Sequence, residues 1–295
     1  MSIDASALSL PSAESTYRRV NGVRLHVLRA GRSDDPLVVL LHGFPDFFYG
    51  WRTQIQPLVE AGYRVLVPDQ RGYNLSDAPA EIGAYRIETL SRDIVDLIRS
   101  AGESSAHVVG HDWGGMVAWD LALRHPEVVN RMAVINAPHP LAFRRTRWRD
   151  PRQVLRSWYA LFFQLPRLPE WTFQRKDFRW AVRGLKGSAE QGSFTDLDVD
   201  RYRQSWSRDG RVTGMLNWYR AAGRYGLTPP REGVDAEAMV VWGEQDPALV
   251  PILGPRSVAY CGDGRLERFP TAGHWVHLDH PSAVSTLLVE HLDGY

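Results

Sequence analysis

Length, composition and charge restrict what kind of protein this sequence encodes. The chain has 295 residues, 44% of them hydrophobic, and its 35 basic and 34 acidic residues give a formal net charge of +1. Such a chain can bury a large core, and its charge gives no reason to expect a nucleic acid partner. No window holds the roughly 18 apolar residues that cross a membrane. The single cysteine, Cys261, excludes an intrachain disulfide, and the arginine-rich sequence without a leader pattern predicts a cytoplasmic bacterial protein.

Hydrophobic patterning predicts alternating strands and helices in the first half of the chain. Residues 16–31 have the pattern of a hairpin that turns at Asn21-Gly22, a strong signal for a two-residue turn. Continuous apolar runs typical of strands buried on both faces then alternate with amphipathic runs typical of helices. Strands are predicted within 36–43, 63–72, 106–111 and 129–138, and helices within 51–62, within 88–102 and from 113 onward.

The alternation stops at residue 139 and resumes near residue 231. The residues between are rich in Trp and Arg with helix-like spacing. Strands are predicted again within 238–246 and 265–275, and a last helix within 281–292. Alternating strands and helices predict an α/β fold with a mostly parallel central sheet flanked by helices. We therefore expect a core domain of residues 1–138 and 231–295 and a helical cap (lid) domain of residues 139–230.

A glycine-flanked acidic residue stands between a predicted strand and a predicted helix. In VVGHDWGGMVAWDLA, residues 108–122, Asp112 occupies the centre of a G-x-D-x-G frame. This frame resembles a nucleophile elbow with Asp112 in place of the usual serine. Small neighbours such as Gly110 and Gly114 permit the tight turn that an elbow needs. Taken alone, Asp112 is better explained as the N-cap of the helix.

Two further polar residues complete the chain order nucleophile, acid, base. Asp246 follows an apolar run in VVWGEQDP, and His274 lies in PTAGHWVH after the last predicted strand. Singly, Asp246 is explained as a turn residue and His274 as a structural histidine. Parallel strands, however, bring all three residues to one edge of the sheet, where ligands bind. Their order and placement together favour a catalytic triad.

A loop rich in aromatic residues follows the predicted strand at 36–43. Its backbone N–H at Phe44, together with that of Trp113, is expected to form an oxyanion hole, the alternative being an ordinary tight turn at Pro45. An apolar, aromatic pocket suits an apolar substrate. The residues expected to line that pocket are His42, Pro45, Phe47, Trp51, Phe163 and Trp218.

A carboxylate nucleophile favours a different reaction from a serine. It can attack a saturated electrophilic carbon and form an alkyl-enzyme ester. Water activated by His274, with Asp246 orienting the imidazole, can then hydrolyse that ester at the carbonyl of Asp112 itself. A serine would give an ether that such water could not cleave. Asp112 thus predicts a substrate with a strained or activated C–O bond or a carbon–halogen bond.

The chain resembles the α/β-hydrolase-fold epoxide hydrolases of the soluble type. The matching segments are HGFPDFFYGWR (42–52), DQRGYNLSD (69–77), GHDWGG (110–115), WYALFFQLP (158–166), LNWYR (216–220), WGEQD (242–246) and AGHWVH (272–277). The resemblance implies the α/β-hydrolase fold with a helical cap. It also implies that Tyr159 and Tyr219 of the lid bind the epoxide oxygen and protonate it, and that no metal and no organic cofactor is needed.

The expected function is hydrolysis of a small apolar epoxide by water to a vicinal diol. A haloalkane-type dehalogenase with the same nucleophile is the alternative, and a non-catalytic ligand receptor on this scaffold is a more distant one. We expect no nucleic acid and no membrane partner, and a homodimer stays open. The basic run at 144–156 is interpreted as a solvent-exposed face of the lid. Detoxification, biosynthetic and lipid-metabolic roles all stay open.

Overall fold

A mostly parallel sheet forms the centre of the protein in a computed structural model that describes residues 3–8, 10 and 13–294. Its strands are β1 (Glu14–Val20), β2 (Val23–Ala30), β3 (Leu37–Leu41), β4 (Arg64–Pro68), β5 (Ala106–His111), β6 (Val129–Ile135), β7 (Glu237–Gly243) and β8 (Gly264–Phe269). Their spatial order is β1-β2-β4-β3-β5-β6-β7-β8. Only β1–β2 and β2–β4 pair antiparallel, and the remaining neighbours are parallel. This confirms the predicted sheet.

Helices cover both faces of the sheet and fill the segment between β6 and β7. In the described part of the chain they are α1 (Ile55–Glu60), α2 (Ile87–Ser100), α3 (Trp113–Arg124), α4 (Pro140–Arg147), α5 (Pro151–Arg156), α6 (Trp158–Phe162), α7 (Leu168–Gly187), α8 (Asp196–Trp206), α9 (Arg211–Tyr225), α10 (Leu253–Val258), α11 (Val276–Asp279) and α12 (Pro281–Asp293). Helix α7 is interrupted, because Lys176, Asp177 and Phe178 have φ between +51° and +59°. No helix among the described residues combines the length and the apolar character needed to cross a membrane.

Local sequence explains several of these elements. Asn21 and Gly22 turn the β1–β2 hairpin with φ of +43° and +80°, the left-handed pair that a type I′ turn requires. All five residues of β3 are buried, as expected of a strand with helices on both faces. Gly102, with φ of +89°, follows the end of α2 and lets the chain reverse there.

The parallel strands place their following loops at one edge of the sheet. Asp112 follows β5, Asn136 follows β6, and Asp246 and His274 come after β7 and β8. Residues 136–236, all of which the structure describes, contain helices α4–α9 and no strand. The division into a core domain and a cap domain stays a prediction, but its helical segment lies at the predicted place in the chain.

Candidate active site

Asp112 lies in a strained turn at the carboxyl end of β5. It has φ of +52° and ψ of −120°, a conformation that costs a non-glycine residue on the order of 1–3 kcal/mol. The turn is possible because Gly114 has no side chain, since a Cβ there would clash with the carbonyl oxygens of Leu41 and His42. A Cβ at Gly43 would likewise clash with the side chain of Asp112. The backbone geometry is therefore that of a nucleophile elbow, with Asp112 at its apex.

The two carboxylate oxygens of Asp112 face different partners. The backbone N–H of Phe44 donates a hydrogen bond of 2.8 Å to Oδ1. Oδ2 lies 3.5 Å from Nε2 of His274. Phe44 is thus placed as an oxyanion-hole donor would be. Trp113, the other predicted donor, opens helix α3 directly after Asp112, and its role as a donor stays a prediction.

His274 is held between two carboxylates. Its Nδ1 lies 2.7 Å from Oδ2 of Asp246, and Asp246 is fully buried. Oδ1 of Asp246 accepts two backbone N–H groups at 2.7 and 3.1 Å, and Asn136 donates its side-chain amide to Oδ2 at 2.7 Å. Because Nδ1 is fixed on Asp246, Nε2 is aimed at Asp112. The three residues that the sequence places in the order Asp112, Asp246, His274 therefore form one connected group.

These contacts set the protonation of the group. Burial lowers the pKa of His274, but the nearby Asp246 and Asp112 outweigh burial and raise it to about 10. Burial raises the pKa of Asp112, yet the hydrogen bond and positive charge of His274 outweigh this and lower the pKa overall. Asp246 behaves in the same way, with a lowered pKa. At neutral pH the free site therefore holds two carboxylates and an imidazolium.

The two lid tyrosines lie together beside Asp112. Tyr159 on α6 and Tyr219 on α9 both line the cavity that Asp112 lines, and their ring centroids are 5.9 Å apart. The ring of Tyr219 packs edge-to-face against Phe44 at 5.1 Å and against Trp113 at 5.0 Å. Burial, reinforced by the charge of Asp112, raises the pKa of both phenols above its ordinary value. Both phenols are therefore protonated at neutral pH and able to donate.

A cavity of about 530 Å³ separates the sheet edge from the lid. Asp112, Trp113, Tyr159 and Tyr219 line it together with mostly apolar residues that include Met116, Pro138, Pro140, Phe143, Ala222 and Leu227. Arg144, Arg147, Trp148 and Leu161 also line it, and these four side chains are exposed to solvent. The cavity therefore leads from the carboxylate to the surface of the lid.

The six residues predicted to line the pocket do not line this cavity: His42, Pro45, Phe47, Trp51, Phe163 and Trp218. Their side chains or backbone groups are used in packing. His42 accepts the N–H of Gln70 on Nε2 at 3.0 Å, and Trp218 donates its indole N–H to the carbonyl of Arg71 at 2.9 Å. Their part in a substrate pocket stays a prediction. Large rings bury large area, and the rings of this set bury it between neighbouring elements.

A buried cluster next to the triad was not predicted. Side-chain atoms of Asp46, His111 and His277 lie within 4.8 Å of one another in a group that could hold a metal ion. Oδ2 of Asp46, Nδ1 of His111 and both ring nitrogens of His277 have no hydrogen-bond partner among the described residues. The ring of His111 is 4.7 Å from that of His274. In proteins generally, unpaired buried polar atoms grouped in this way can also be satisfied by a buried water with about three hydrogen bonds.

Burial shifts the pKa values of the three residues in this cluster in different directions. Burial lowers the pKa of His277 to about 3 and that of His111 well below its ordinary value. Burial raises the pKa of Asp46 to about 7. The signal for Asp46 was present in the sequence, since it belongs to the matching segment HGFPDFFYGWR, but nothing in the linear chain shows that His111 and His277 meet it.

Comparison with known proteins places this site in a family. The family described as alpha/beta hydrolase fold matches residues 36–281. The chain is 44% identical over 276 residues to the AB hydrolase superfamily protein YfhM of Bacillus subtilis (strain 168). The match covers 94% of this chain and 96% of that protein. It is 36% identical over 276 residues to Epoxide hydrolase 4 of Mus musculus. That match covers 91% of this chain and 76% of the relative.

A solved structure agrees with these sequence relatives. The crystal structure of Bacillus megaterium epoxide hydrolase in complex with an inhibitor matches with a TM-score of 0.87 and 31% identity, covering 94% of this chain and 100% of that one. The agreement in fold therefore extends over nearly the whole chain. The chain therefore belongs to the α/β-hydrolase fold family and, within it, to the epoxide hydrolases.

Proposed function

We propose that this protein opens an epoxide to a vicinal diol through a covalent ester on Asp112. The observation that carries the proposal is that one cavity brings together a carboxylate and two phenols, those of Tyr159 and Tyr219. A carboxylate attacks saturated carbon, and a phenol protonates the oxygen that leaves. Relatives named as epoxide hydrolases support the same reaction.

In the first step the epoxide oxygen accepts hydrogen bonds from Tyr159 and Tyr219. Oδ2 of Asp112 attacks one ring carbon, and the C–O bond of the ring breaks. The departing oxygen takes a proton from a phenol, which burial keeps protonated until then. His274, protonated in the free site, supplies the proton that restores the phenol. The product of this step is a hydroxyalkyl ester on Asp112 and a neutral imidazole.

Esterification prepares His274 for the second step. Asp112 loses its negative charge when it becomes an ester, so one of the two carboxylates that raise the pKa of His274 disappears and the pKa falls. The neutral imidazole, oriented by Asp246, can then accept a proton from water while the hydroxide attacks Cγ of Asp112. The N–H of Phe44 stabilises the negative charge on Oδ1. Collapse releases the diol, whose oxygen takes the carboxylic acid proton, and the protonated His274 is restored.

Dehalogenation by the same carboxylate is the second candidate. The indole of Trp113 lines the cavity beside Asp112, and an indole N–H can stabilise a departing halide. A halide needs no proton, so this reaction would not use Tyr159 and Tyr219. The paired phenols therefore favour the epoxide over the haloalkane.

The first experiment measures two products in parallel. Wild-type protein and Asp112→Ala are incubated with an aryl-substituted terminal epoxide and, separately, with a 1-haloalkane. Diol formed by the wild type alone, without halide, is the expected result. Halide without diol would overturn the assignment of the tyrosines, and absence of both products across a broader epoxide panel would overturn the hydrolase proposal.

An isotope experiment tests the ester itself. With enzyme in excess over epoxide in ¹⁸O-water, a single turnover should give a diol without the heavy isotope, because its new oxygen comes from Asp112. Many turnovers in the same water should give labelled diol, because the carboxylate oxygen is then replaced from water. Labelled diol in the first turnover would show direct attack by water and contradict the covalent route.

A further inference from the structure

The basic residues of this chain are concentrated in one stretch of the lid. Residues 139–187 contain twelve arginines and lysines against three acidic residues, whereas the whole chain has a net charge of only +1. This segment, which we call the basic lid segment, thus carries +9 and the rest of the chain −8. Two of its acidic residues, Glu170 and Asp177, are paired with arginines outside the segment, Arg220 and Arg203.

The same segment exposes large apolar side chains. In the described part of the chain thirteen large hydrophobic residues are exposed, and nine of them fall between residues 148 and 180. Three examples are Trp148, Leu155 and Leu161, which are 71%, 73% and 76% exposed. The nine are Trp148, Val154, Leu155, Trp158, Leu161, Leu165, Leu168, Trp171 and Trp180. Exposed apolar groups concentrated in this way mark an interaction surface.

Cations and tryptophans are interleaved at two places in the segment. At the open end of the cavity, the guanidinium of Arg147 lies 4.4 Å from the ring of Trp148. On α7, the guanidinium of Arg175 lies 4.6 Å from the ring of Trp171. A groove of about 400 Å³ on this helix is lined by Trp171, Thr172, Arg175, Lys176, Arg179, Trp180 and Arg183.

Many of these cations lack an ion-pair partner in the part of the chain that the structure describes. The described ion pairs made by basic residues of the segment involve Arg145, Arg152 and Lys186. Arg179 and Arg183 are exposed on α7 and have no ion-pair partner among the described residues. Unpaired guanidinium groups beside exposed indoles provide both phosphate recognition and insertion at an apolar–polar boundary.

We propose that the basic lid segment docks on the surface of an anionic lipid membrane. Arginines bind lipid phosphates, and the exposed Trp and Leu side chains enter the boundary between headgroups and acyl chains. The charge also argues against a second copy of this chain as the occupant, since a symmetric contact would place +9 against +9. The expectation of no membrane partner depended on the lack of a long apolar window in the sequence, and binding at the membrane surface needs no such window.

Docking through the exposed residues at the cavity opening would present that opening to the lipid. Trp148 and Leu161 belong both to the exposed apolar set and to the cavity lining. An apolar molecule dissolved in the bilayer would therefore meet the opening without crossing bulk water. The binding itself does not depend on the proposed hydrolase reaction and is measured without it.

The test is co-sedimentation of the full chain with vesicles. One set contains phosphatidylcholine alone and the other about one third phosphatidylglycerol. The expected result is binding to the anionic vesicles at about 0.1 M salt, at least about tenfold weaker binding to neutral ones, and loss of binding near 0.5 M salt. Equal binding to both sets, or binding to neither, would overturn the proposal.

Variants locate the contact. The double change Arg179→Glu and Arg183→Glu should weaken binding to anionic vesicles by about thirtyfold or more, since each cation near such a surface contributes about fivefold. The matched control is Arg32→Glu with Arg99→Glu, two exposed arginines outside the segment, which should change binding about twofold or less. Equal loss in the two double variants would mean attraction by overall charge and would overturn docking by this face.

A third variant tests the contribution of the apolar side chains and whether a second copy of this chain, rather than a membrane, covers the basic lid segment. Trp171→Gln keeps every charge and should weaken vesicle binding at least about threefold. Light scattering on the same samples reports the oligomeric state. A concentration-dependent dimer that Trp171→Gln dissociates, together with no vesicle binding, would identify a second copy as the occupant and overturn the membrane proposal.

Discussion

The sheet edge and the lid contribute to one cavity in different ways. At the sheet edge, Asp246 and His274 are buried and Asp112 is half-buried, and backbone or side-chain hydrogen bonds fix each of them. In the lid, Tyr159 is half-buried on a helix of five residues. Charged groups are therefore held by the rigid core, whereas a phenol is supplied by short helices whose outer side faces solvent.

The difference predicts a division of labour between two chemical steps. Groups at the sheet edge form and hydrolyse the ester, and lid phenols assist only the opening of the ring. A variant at the sheet edge can therefore stop either step, whereas a lid variant should slow the first step alone. The following experiments test that division, beginning with the largest expected effect.

Replacing the nucleophile Asp112 should abolish turnover, and replacing the base His274 should trap the ester intermediate. Asp112→Ala should lower kcat/KM by at least about 10⁴-fold, since no ester can form. His274→Gln should still form the ester, which would appear as a mass increase of the intact protein equal to one epoxide. A trapped ester in Asp112→Ala, or none in His274→Gln, would contradict these assignments.

The ion group at the sheet edge should make stability depend on pH. The pKa of His274 in the folded protein, about 10, is above its ordinary value of 6.5. The stabilisation is therefore complete below pH 6.5 and is lost as the pH rises towards 10. Between these limits the wild type should lose at most about 5 kcal/mol of unfolding free energy, and His274→Gln much less. Denaturant unfolding at a series of pH values between 6.5 and 10 measures this loss. Equal losses of unfolding free energy in the two proteins would exclude a contribution from His274.

Removing a lid hydroxyl should slow ring opening without blocking ester hydrolysis. Tyr159→Phe and Tyr219→Phe should each lower the single-turnover rate of ester formation by about 10²-fold, or about 2.7 kcal/mol. The matched control on α9 is Tyr225→Phe, because Tyr225 lies outside the cavity with its ring under Arg86. A slower ester decay in either lid variant, or an equal effect of the control, would break the division between the two regions.

Glycine substitutions should act in opposite directions in the two regions. Gly114→Ala places a Cβ against the backbone of β3 and should destabilise the protein by at least about 1–3 kcal/mol. Gly184 lies in α7 with open space around it, so Gly184→Ala should stabilise the protein by about 0.5–1 kcal/mol. Denaturant midpoints of both variants check this, and destabilisation by Gly184→Ala would mean that the lid is as tightly packed as the core.

The two regions also differ in how far the sequence predicts them. Strand positions, the hairpin at Asn21-Gly22 and the order of Asp112, Asp246 and His274 followed from apolar runs and turn residues, which are local signals. Tyr159 and Tyr219 carry no such signal, because a tyrosine on a helix looks the same whether it packs or reacts. Their selection depended on resemblance to a family.

Side-chain direction and long-range contact were beyond the sequence. Four of the six expected pocket residues, Phe47, Trp51, Phe163 and Trp218, are aromatic. Ring size predicts that such side chains are buried, but not which surface buries them. The cluster of Asp46, His111 and His277 joins three distant segments, and only the fold brings them within 4.8 Å. The interruption of α7 at residues 175–178 also carries no local signal, because none of these four residues is a proline or a glycine.

The uneven distribution of charge along the chain gives the molecule two parts of opposite charge. A net charge of +1 is the sum of +9 in residues 139–187 and −8 elsewhere, so opposite parts of the surface attract opposite ions. We expect retention near neutral pH on both cation and anion exchangers, each resin selecting its own orientation of the protein. Elution from the cation exchanger would depend on the arginines of the lid, and a separation planned from the net charge alone would fail.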